Sequence, residues 1–319
     1  MTSKFCDTDF RNLAFKAMGT KCGVAYRTEG AERDSFIGEE ILKFVRYFEG
    51  RYSRYDSESL ISLINTNAGV RPTPIKEEDY RLFEICAGLN FLTEGMFDPT
   101  TLPLSELWDF KRKIPDIPTD SKVQSALKKV GWSKVLWDEK SVFLTEKGMG
   151  LDFGGMGKEY SVDCLHQMLC GFGVEDFLIN FGGDIRCNGS SPQGGAWVVG
   201  IEDPTKPGET KLALSITNGA VATSGTYMRY FDFDGKRYSH LIDHRKGYPV
   251  PYNTYSSSVI AGSCLEAGVL ATASLLKGDR EGVNLIDSYF NAEGCVRTAK
   301  ALYWTKNLGK YLIPNVYQN

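Results

Sequence analysis

The chain has 319 residues, 42% hydrophobic and 24% charged, with 37 Lys and Arg against 40 Asp and Glu and a formal net charge of −3. That length supports one large or two modest cores, the charge leaves no basic footprint for nucleic acid, and no apolar run reaches transmembrane length. No apolar h-region follows Met1, which points to a cytoplasmic protein, or a periplasmic one if the sequence is a trimmed mature form.

In chain order, residues 15–27 alternate through Ala17-Met18-Gly19-Thr20 and read as a first strand. Ile37, Ile41, Leu42, Phe44 and Val45 give helical spacing over 35–47, and Asp56 or Ser57 caps a short helix at 60–63. A second amphipathic helix spans 77–92 and stops before Gly95-Met96-Phe97-Asp98-Pro99-Thr100. Residues 104–110 bring Trp108. The polar, proline-bearing stretch 111–120 reads as a surface loop, with a junction between two lobes of one domain near 111–122. A short helix at 123–130 and a hairpin at 135–138 and 141–145 follow. A strand end, a glycine turn and a helix then occupy 151–169. Strands are expected at 177–180, 197–201, 212–216, 256–261 and 301–304, and a small-residue helix at 265–276. Strands and helices mix without strict βαβ alternation, so the fold class is α+β. The eight cysteines show no metal spacing and read as buried free thiols.

The chemistry concentrates in residues 222–249. Ala222-Thr223-Ser224-Gly225 reads as a turn bare enough for a ligand to approach. Residues 227–233 and 236–242 read as strands joined by Asp234-Gly235, a hairpin that delivers His240 and Asp243 at its end. Of three histidines, His166, His240 and His244, only His240 has this setting. Its ring can exchange a proton near neutrality, or it can be a half-buried strand residue with its hydrogen bonds satisfied. A Ser–His–Asp hydrolase is disfavoured, because Ser224 does not sit in a Gly-x-Ser-x-Gly elbow. Gly154-Gly155-Met156-Gly157-Lys158 lacks P-loop and Rossmann spacing. It still offers backbone N–H groups, a helix start and a lysine to an anion, unless it is an ordinary tight turn. Gly182-Gly183-Asp184 is a second such turn. Tyr52, Tyr55 and Trp108 are either stacking platforms for a planar ring or core.

Taken together, these segments resemble the ApbE-like FAD:protein FMN transferase family. The matches run in family order. They are Ala17-Met18-Gly19-Thr20, the block from Ser53-Arg54-Tyr55 to Asn65, Gly95 to Thr100 with Trp108-Asp109-Phe110, Leu151 to Lys158 with Asp163, and Ile179 to Asp184. Trp197 to Pro204, Ala222-Thr223-Ser224-Gly225, His240-Leu241-Ile242-Asp243 and Leu270-Ala271-Thr272-Ala273 complete the set. The resemblance implies an ApbE-type, T-fold-like α+β architecture with FAD in a cleft between two lobes. It implies magnesium-assisted transfer of FMN from FAD to a Ser or Thr hydroxyl of a partner flavoprotein, with release of AMP. On the same basis His240 is the base with Asp243 beside it. Met18, Tyr55, Met96, Phe97, Asp98, Trp108, Lys158, Asp163, Gly182, Gly183, Ser224 and Ile242 surround the flavin nucleotide, and Thr272 and Gly155 hold magnesium. Four positions depart from the pattern. Gly268 stands where the family carries the metal-ligand Asp, Glu159 where it prefers Gly, His244 where it prefers Pro, and Thr226 where Asp is common. Loss of the one carboxylate weakens a magnesium site. Either Asp243, Glu266 or substrate phosphates rebuild it, or the chain is an FAD-binding relative that has lost transfer or hydrolyses FAD to FMN and AMP. Gly268→Asp is then expected to raise magnesium dependence and rate.

Overall fold

The computed structural model describes residues 9–112, 116–206, 208–227, 229–250 and 252–314; Cys6, Met228 and part of the 111–120 loop lie outside them. The chain divides into two compact units. The first is built from the described parts of Met1–Glu49, Met156–Gly225 and Tyr255–Asn319, and the second from those of Gly50–Gly155 and Thr226–Thr254. The 111–120 stretch thus falls inside the second unit, and the divisions lie elsewhere.

The first unit is framed by an eight-stranded sheet. Its order is Phe10–Ala17, Thr20–Arg27, Phe177–Phe181, Asp184–Asn188, Gly219–Gly225, Thr254–Ala261, Glu293–Thr298 and Leu302–Trp304. The first six strands run antiparallel to their neighbours. Two-residue alternation sorts the side chains between the faces. Phe177, Ile179, Phe181, Ala220 and Ala222 pack on Ile37, Ile41 and Val45 of helix Ala31–Tyr52 and on Val162, Leu165 and Leu169 of helix Gly157–Gly171. Leu178, Ile185, Val221 and Ile260 face the opposite way, onto the antiparallel ribbon Trp197–Glu202/Thr210–Ile216. Each fully buried Ile, Leu or Phe contributes about 1.5–3 kcal/mol, so the two faces together fix the unit.

Three expectations change here. The single strand at 15–27 is a hairpin: Ala17 pairs with Thr20, and the turn residues Met18 and Gly19 have φ of 51° and 71°. Positive φ at both central residues is what a type I′ turn requires, and the alternation runs unbroken across it. The expected turn at 222–225 is a strand, bonded to Asp184–Asn188 on one side and Thr254–Ala261 on the other. Its small residues let helix Cys264–Lys277 come close enough for Ser224 Oγ to bond Thr272 Oγ1 at 2.7 Å. The cap of the short helix Leu60–Thr66 is Ser59, whose Oγ accepts from Ser62 N–H at 3.0 Å, while Asp56 closes a turn onto Glu58 N–H.

The second unit holds helices Leu60–Thr66, Glu77–Leu92, Leu102–Trp108 and Asp120–Leu127 and a sheet ordered Thr73–Pro74, Ser141–Leu144, Val135–Trp137. Ile61, Ile64, Leu82, Phe83, Leu104, Trp108, Leu144 and Leu151 are buried within it. The fully buried Asp79 joins Arg51, the Tyr52 hydroxyl (2.9 Å) and the Lys76 N–H (2.8 Å), so Tyr52 belongs to the frame, and burial pushes its phenol far up. The ribbon Tyr230–Phe233/Lys236–Ser239 turns at Asp234-Gly235 as expected, though it is shorter. Cys22, Cys86, Cys187, Cys264 and Cys295 are buried free thiols, each pushed up by burial.

Gly182 has φ of 65°, and a Cβ there would meet Thr20 Oγ1 at 2.4 Å. Gly182→Ala is expected to cost about 1–3 kcal/mol in urea denaturation, through left-handed strain and displacement of Thr20. An unchanged midpoint would show that the turn relaxes freely.

Candidate active site

Helix Gly157–Gly171 follows the glycine turn directly, and its N-cap, Met156, supplies no side-chain acceptor. Lys158 in its first turn pairs with the buried Asp184 and lies 3.7 Å from Glu159 Oε1. The Gly182-Gly183 turn does not bare its backbone. Gly182 N–H donates to Lys21 O at 3.0 Å and Gly183 N–H to Asn180 Oδ1 at 2.9 Å. What the turn does is open the strand on which Asp184 meets Lys158.

Asp163 is spoken for as well. Its two oxygens accept from Cys264 N–H (2.8 Å) and Leu265 N–H (2.9 Å), and it pairs with Arg186. It therefore binds the start of helix Cys264–Lys277, where an anion is favoured by the helix dipole. Ser263 caps the same helix and its Oγ accepts from Glu266 N–H, while Glu266 Oε2 accepts from Ser263 N–H at 3.1 Å. Met18 is fixed by its N–H to Glu49 Oε1 (2.8 Å) and its sulfur to Ser161 Oγ (3.4 Å). Gly155 has open space where a Cβ would stand. Beside Gly268, the space a Cβ would fill is taken by Glu159, with Cγ at 2.6 Å and Oε1 at 3.1 Å. Glu159 is buried, and its Oε2 has no hydrogen-bond partner among the described residues.

In the second unit, His240 Nδ1 lies 3.1 Å from Arg229 O, and His240 N–H donates to the same carbonyl at 3.0 Å. A carbonyl only accepts, so Nδ1 carries the hydrogen and Nε2 of the neutral ring keeps its lone pair. Burial lowers the His240 pKa from 6.5; the bond to the Arg229 carbonyl opposes this and the Arg229 charge adds to it. Asp243 is not the imidazole's partner. Its carboxylate is held by Arg245 Nε (3.1 Å), Arg245 N–H (3.1 Å) and Lys246 Nζ (3.5 Å), and its carbonyl accepts from Lys246 and Gly247 N–H. Burial pushes its pKa up, but the Arg245 side-chain bond and charge, the Arg245 N–H and the Lys246 charge outweigh this and leave it lowered. The turn carries Ile242 opposite Pro249. Two contacts brace this segment: Trp108 Nε1 donates to Gly247 O at 2.9 Å, and His244 Nε2 bonds Gly95 O.

Trp108 is 1% exposed and packs on Tyr238, so its ring is enclosed rather than offered to a ligand. Tyr55 is the open aromatic, 66% exposed, with Arg54 at 4.3 Å and Lys111 at 4.0 Å from its ring centroid. Met96 is buried. Phe97 O accepts from Asn90 Nδ2 at 2.8 Å. Asp98 closes its loop by accepting from Thr100 N–H, Thr100 Oγ1 and Trp132 N–H. Among the first-unit residues, sequence reading missed Asp184 and Arg186 as partners of Lys158 and Asp163, and it saw Glu159 only as a departure. The readable signal was the pairing of that extra acid with a missing acid at Gly268.

A profile of the ApbE family matches residues 18–296. An FAD:protein FMN transferase of Vibrio cholerae is 29% identical over 87% of this chain and 84% of its own. One from Escherichia coli is 26% identical over 88% and 82%. The crystal structure of the ApbE protein from Thermotoga maritima superposes with a TM-score of 0.86 at 28% identity, over 95% of this chain and 99% of that one. The flavin transferase ApbE from Vibrio cholerae gives 0.83 at 25% identity, over 95% and 100%.

If Asp163 is a fastener, Asp163→Ala strands Arg186 and two helix-start N–H groups and costs about 3–5 kcal/mol by chemical denaturation. FAD affinity per folded molecule stays the same. A stability unchanged within error, with FAD affinity lost, would make Asp163 a ligand contact instead.

Proposed function

The chain belongs to the ApbE family, and we propose on that footing that it moves FMN from FAD to a Ser or Thr hydroxyl of a partner flavoprotein, releasing AMP. Relatives and solved neighbours that match most of its length carry the names FAD:protein FMN transferase and flavin transferase. The observation that carries the reading on this chain's own residues is the state of His240. Its Nδ1 hydrogen is committed to the Arg229 carbonyl, and burial keeps the ring neutral, so Nε2 is free to accept a proton.

The step balances simply. The acceptor hydroxyl oxygen forms a bond to the FMN phosphorus, its proton passes to His240 Nε2, and the pyrophosphate P–O bond breaks to free AMP. Lys158 is paired with Asp184 at the start of helix Gly157–Gly171, so what this helix start offers a phosphate is its backbone N–H groups and dipole. Magnesium, when bound, neutralises charge on the phosphoryl oxygens. The donors fit such a hard cation: Ser224 Oγ and Thr272 Oγ1, 2.7 Å apart, and a buried carboxylate oxygen without a partner.

The test is incubation with FAD, magnesium and a Ser/Thr-bearing flavoprotein domain, read by in-gel flavin fluorescence and AMP release. Labelling is expected, and His240→Gln should reduce its rate by about 10²–10⁴-fold with FAD binding retained. A yellow protein that neither labels the acceptor nor releases AMP overturns the reading. Because the neutral ring is the active form and its pKa is lowered, kcat/KM should rise with pH along a limb centred below 6.5. A limb centred above 6.5 would remove His240 as the base.

A further inference from the structure

We propose that Glu159 supplies the cation's carboxylate ligand in this chain, from the space that Gly268 leaves free. The proposal rests on the transferase reading only in taking the cation to be one that accompanies FAD phosphates. Glu159 and Asp163 are four residues apart on helix Gly157–Gly171, so they share a face. Asp163 meets the first residues of helix Cys264–Lys277, and Glu159 meets Gly268, one turn further along that helix. Thr272 is the next residue on the same face, four beyond Gly268. The Glu159 carboxylate thus lies over the turn before the Thr272 hydroxyl, which bonds Ser224 Oγ.

The fit at Gly268 is exclusive. A Cβ there would stand 2.6 Å from Glu159 Cγ, which is too near the helix backbone to swing away as a side-chain tip can. A side chain at 268 and the glutamate at 159 therefore compete for one space. The charge is also only partly compensated. Oε1 is 3.7 Å from Lys158 Nζ, but Lys158 is shared with Asp184, and Oε2 is buried with no hydrogen-bond partner among the described residues. A buried anionic oxygen in that state is stabilised by a cation. The two carboxylates that the sequence offers as replacements are engaged elsewhere: Glu266 closes its own helix cap, and Asp243 is held by Arg245 and Lys246. The geometry also reverses the expectation for Gly268→Asp, which now places one carboxylate on top of another. One carboxylate, one or two hydroxyls, water and substrate phosphate make an ordinary magnesium shell.

The experiment titrates the full chain with Mn2+ in the presence of FAD, reading free Mn2+ by electron paramagnetic resonance. Glu159→Gln is expected to weaken Mn2+ binding by about 10–100-fold, with FAD affinity in metal-free buffer unchanged. Gly268→Asp alone should lower the melting temperature without tightening Mn2+. The exchanged pair, Glu159→Gly with Gly268→Asp, should recover affinity to within about threefold of the unaltered chain, as expected when one carboxylate serves from either helix. Glu159→Gln binding Mn2+ like the unaltered chain overturns the proposal, and so does a folded exchanged pair that binds none. If Mn2+ binding follows Glu159 while no acceptor is labelled, the ligand assignment holds and the transferase reading fails.

Discussion

Two backbone N–H groups at the start of helix Cys264–Lys277 and the guanidinium of Arg186 converge on one carboxylate, that of Asp163. That single group joins two helices to the strand Asp184–Asn188. Removing such a carboxylate would leave a buried cation and two bare donors, so the position of each helix is tightly specified. Lys158, Glu159, Gly268 and Thr272 all lie within about two helical turns of this fastening, and their spacing is set by it.

Around that point the charges resolve in pairs. Asp163 takes Arg186, and Asp184 takes Lys158. Glu159 is left over, with one oxygen facing a lysine already engaged and the other without a hydrogen-bond partner among the described residues. A residual buried carboxylate packed on Gly268, one helical turn before Thr272, suits a hard divalent cation better than a bare phosphate, which like charge would repel. The lysine alone therefore does not account for nucleotide binding here. Once Asp184 and Glu159 are counted, this edge of the first unit carries no surplus positive charge.

The second unit solves a different problem, which is holding an imidazole in one protonation state. Burial does this at His240, while the Arg229 carbonyl fixes which ring nitrogen carries the hydrogen; no carboxylate is involved. The difference has chemical weight. A carboxylate partner would favour the charged ring strongly and raise its pKa, whereas the weaker pull of a carbonyl is outweighed by burial, which leaves the ring neutral and ready to accept. Asp243 instead stabilises the turn after His240, and Trp108 and His244 fasten that turn to the residues around Leu104 and Gly95. The motif residues in this unit thus divide between one that meets a proton and several that fix its place.

Local pattern determined the elements whose period is strong and self-contained. Helix Glu77–Leu92, the strands of the Trp197–Glu202 ribbon and the Asp234-Gly235 turn needed no partner to be read, and ordered motifs were enough to place the chain in its family. Tertiary packing decided the rest. Gly219–Gly225 carries no strand signal, since alanine, serine and glycine are chosen there for the close approach of a helix. Trp108 reads equally well as a platform or as core until its neighbours enclose it. Whether the missing carboxylate at 268 is lost or moved depends on two residues 109 positions apart in the chain (159 and 268) meeting across a helix interface, and one-dimensional spacing holds no information about that meeting.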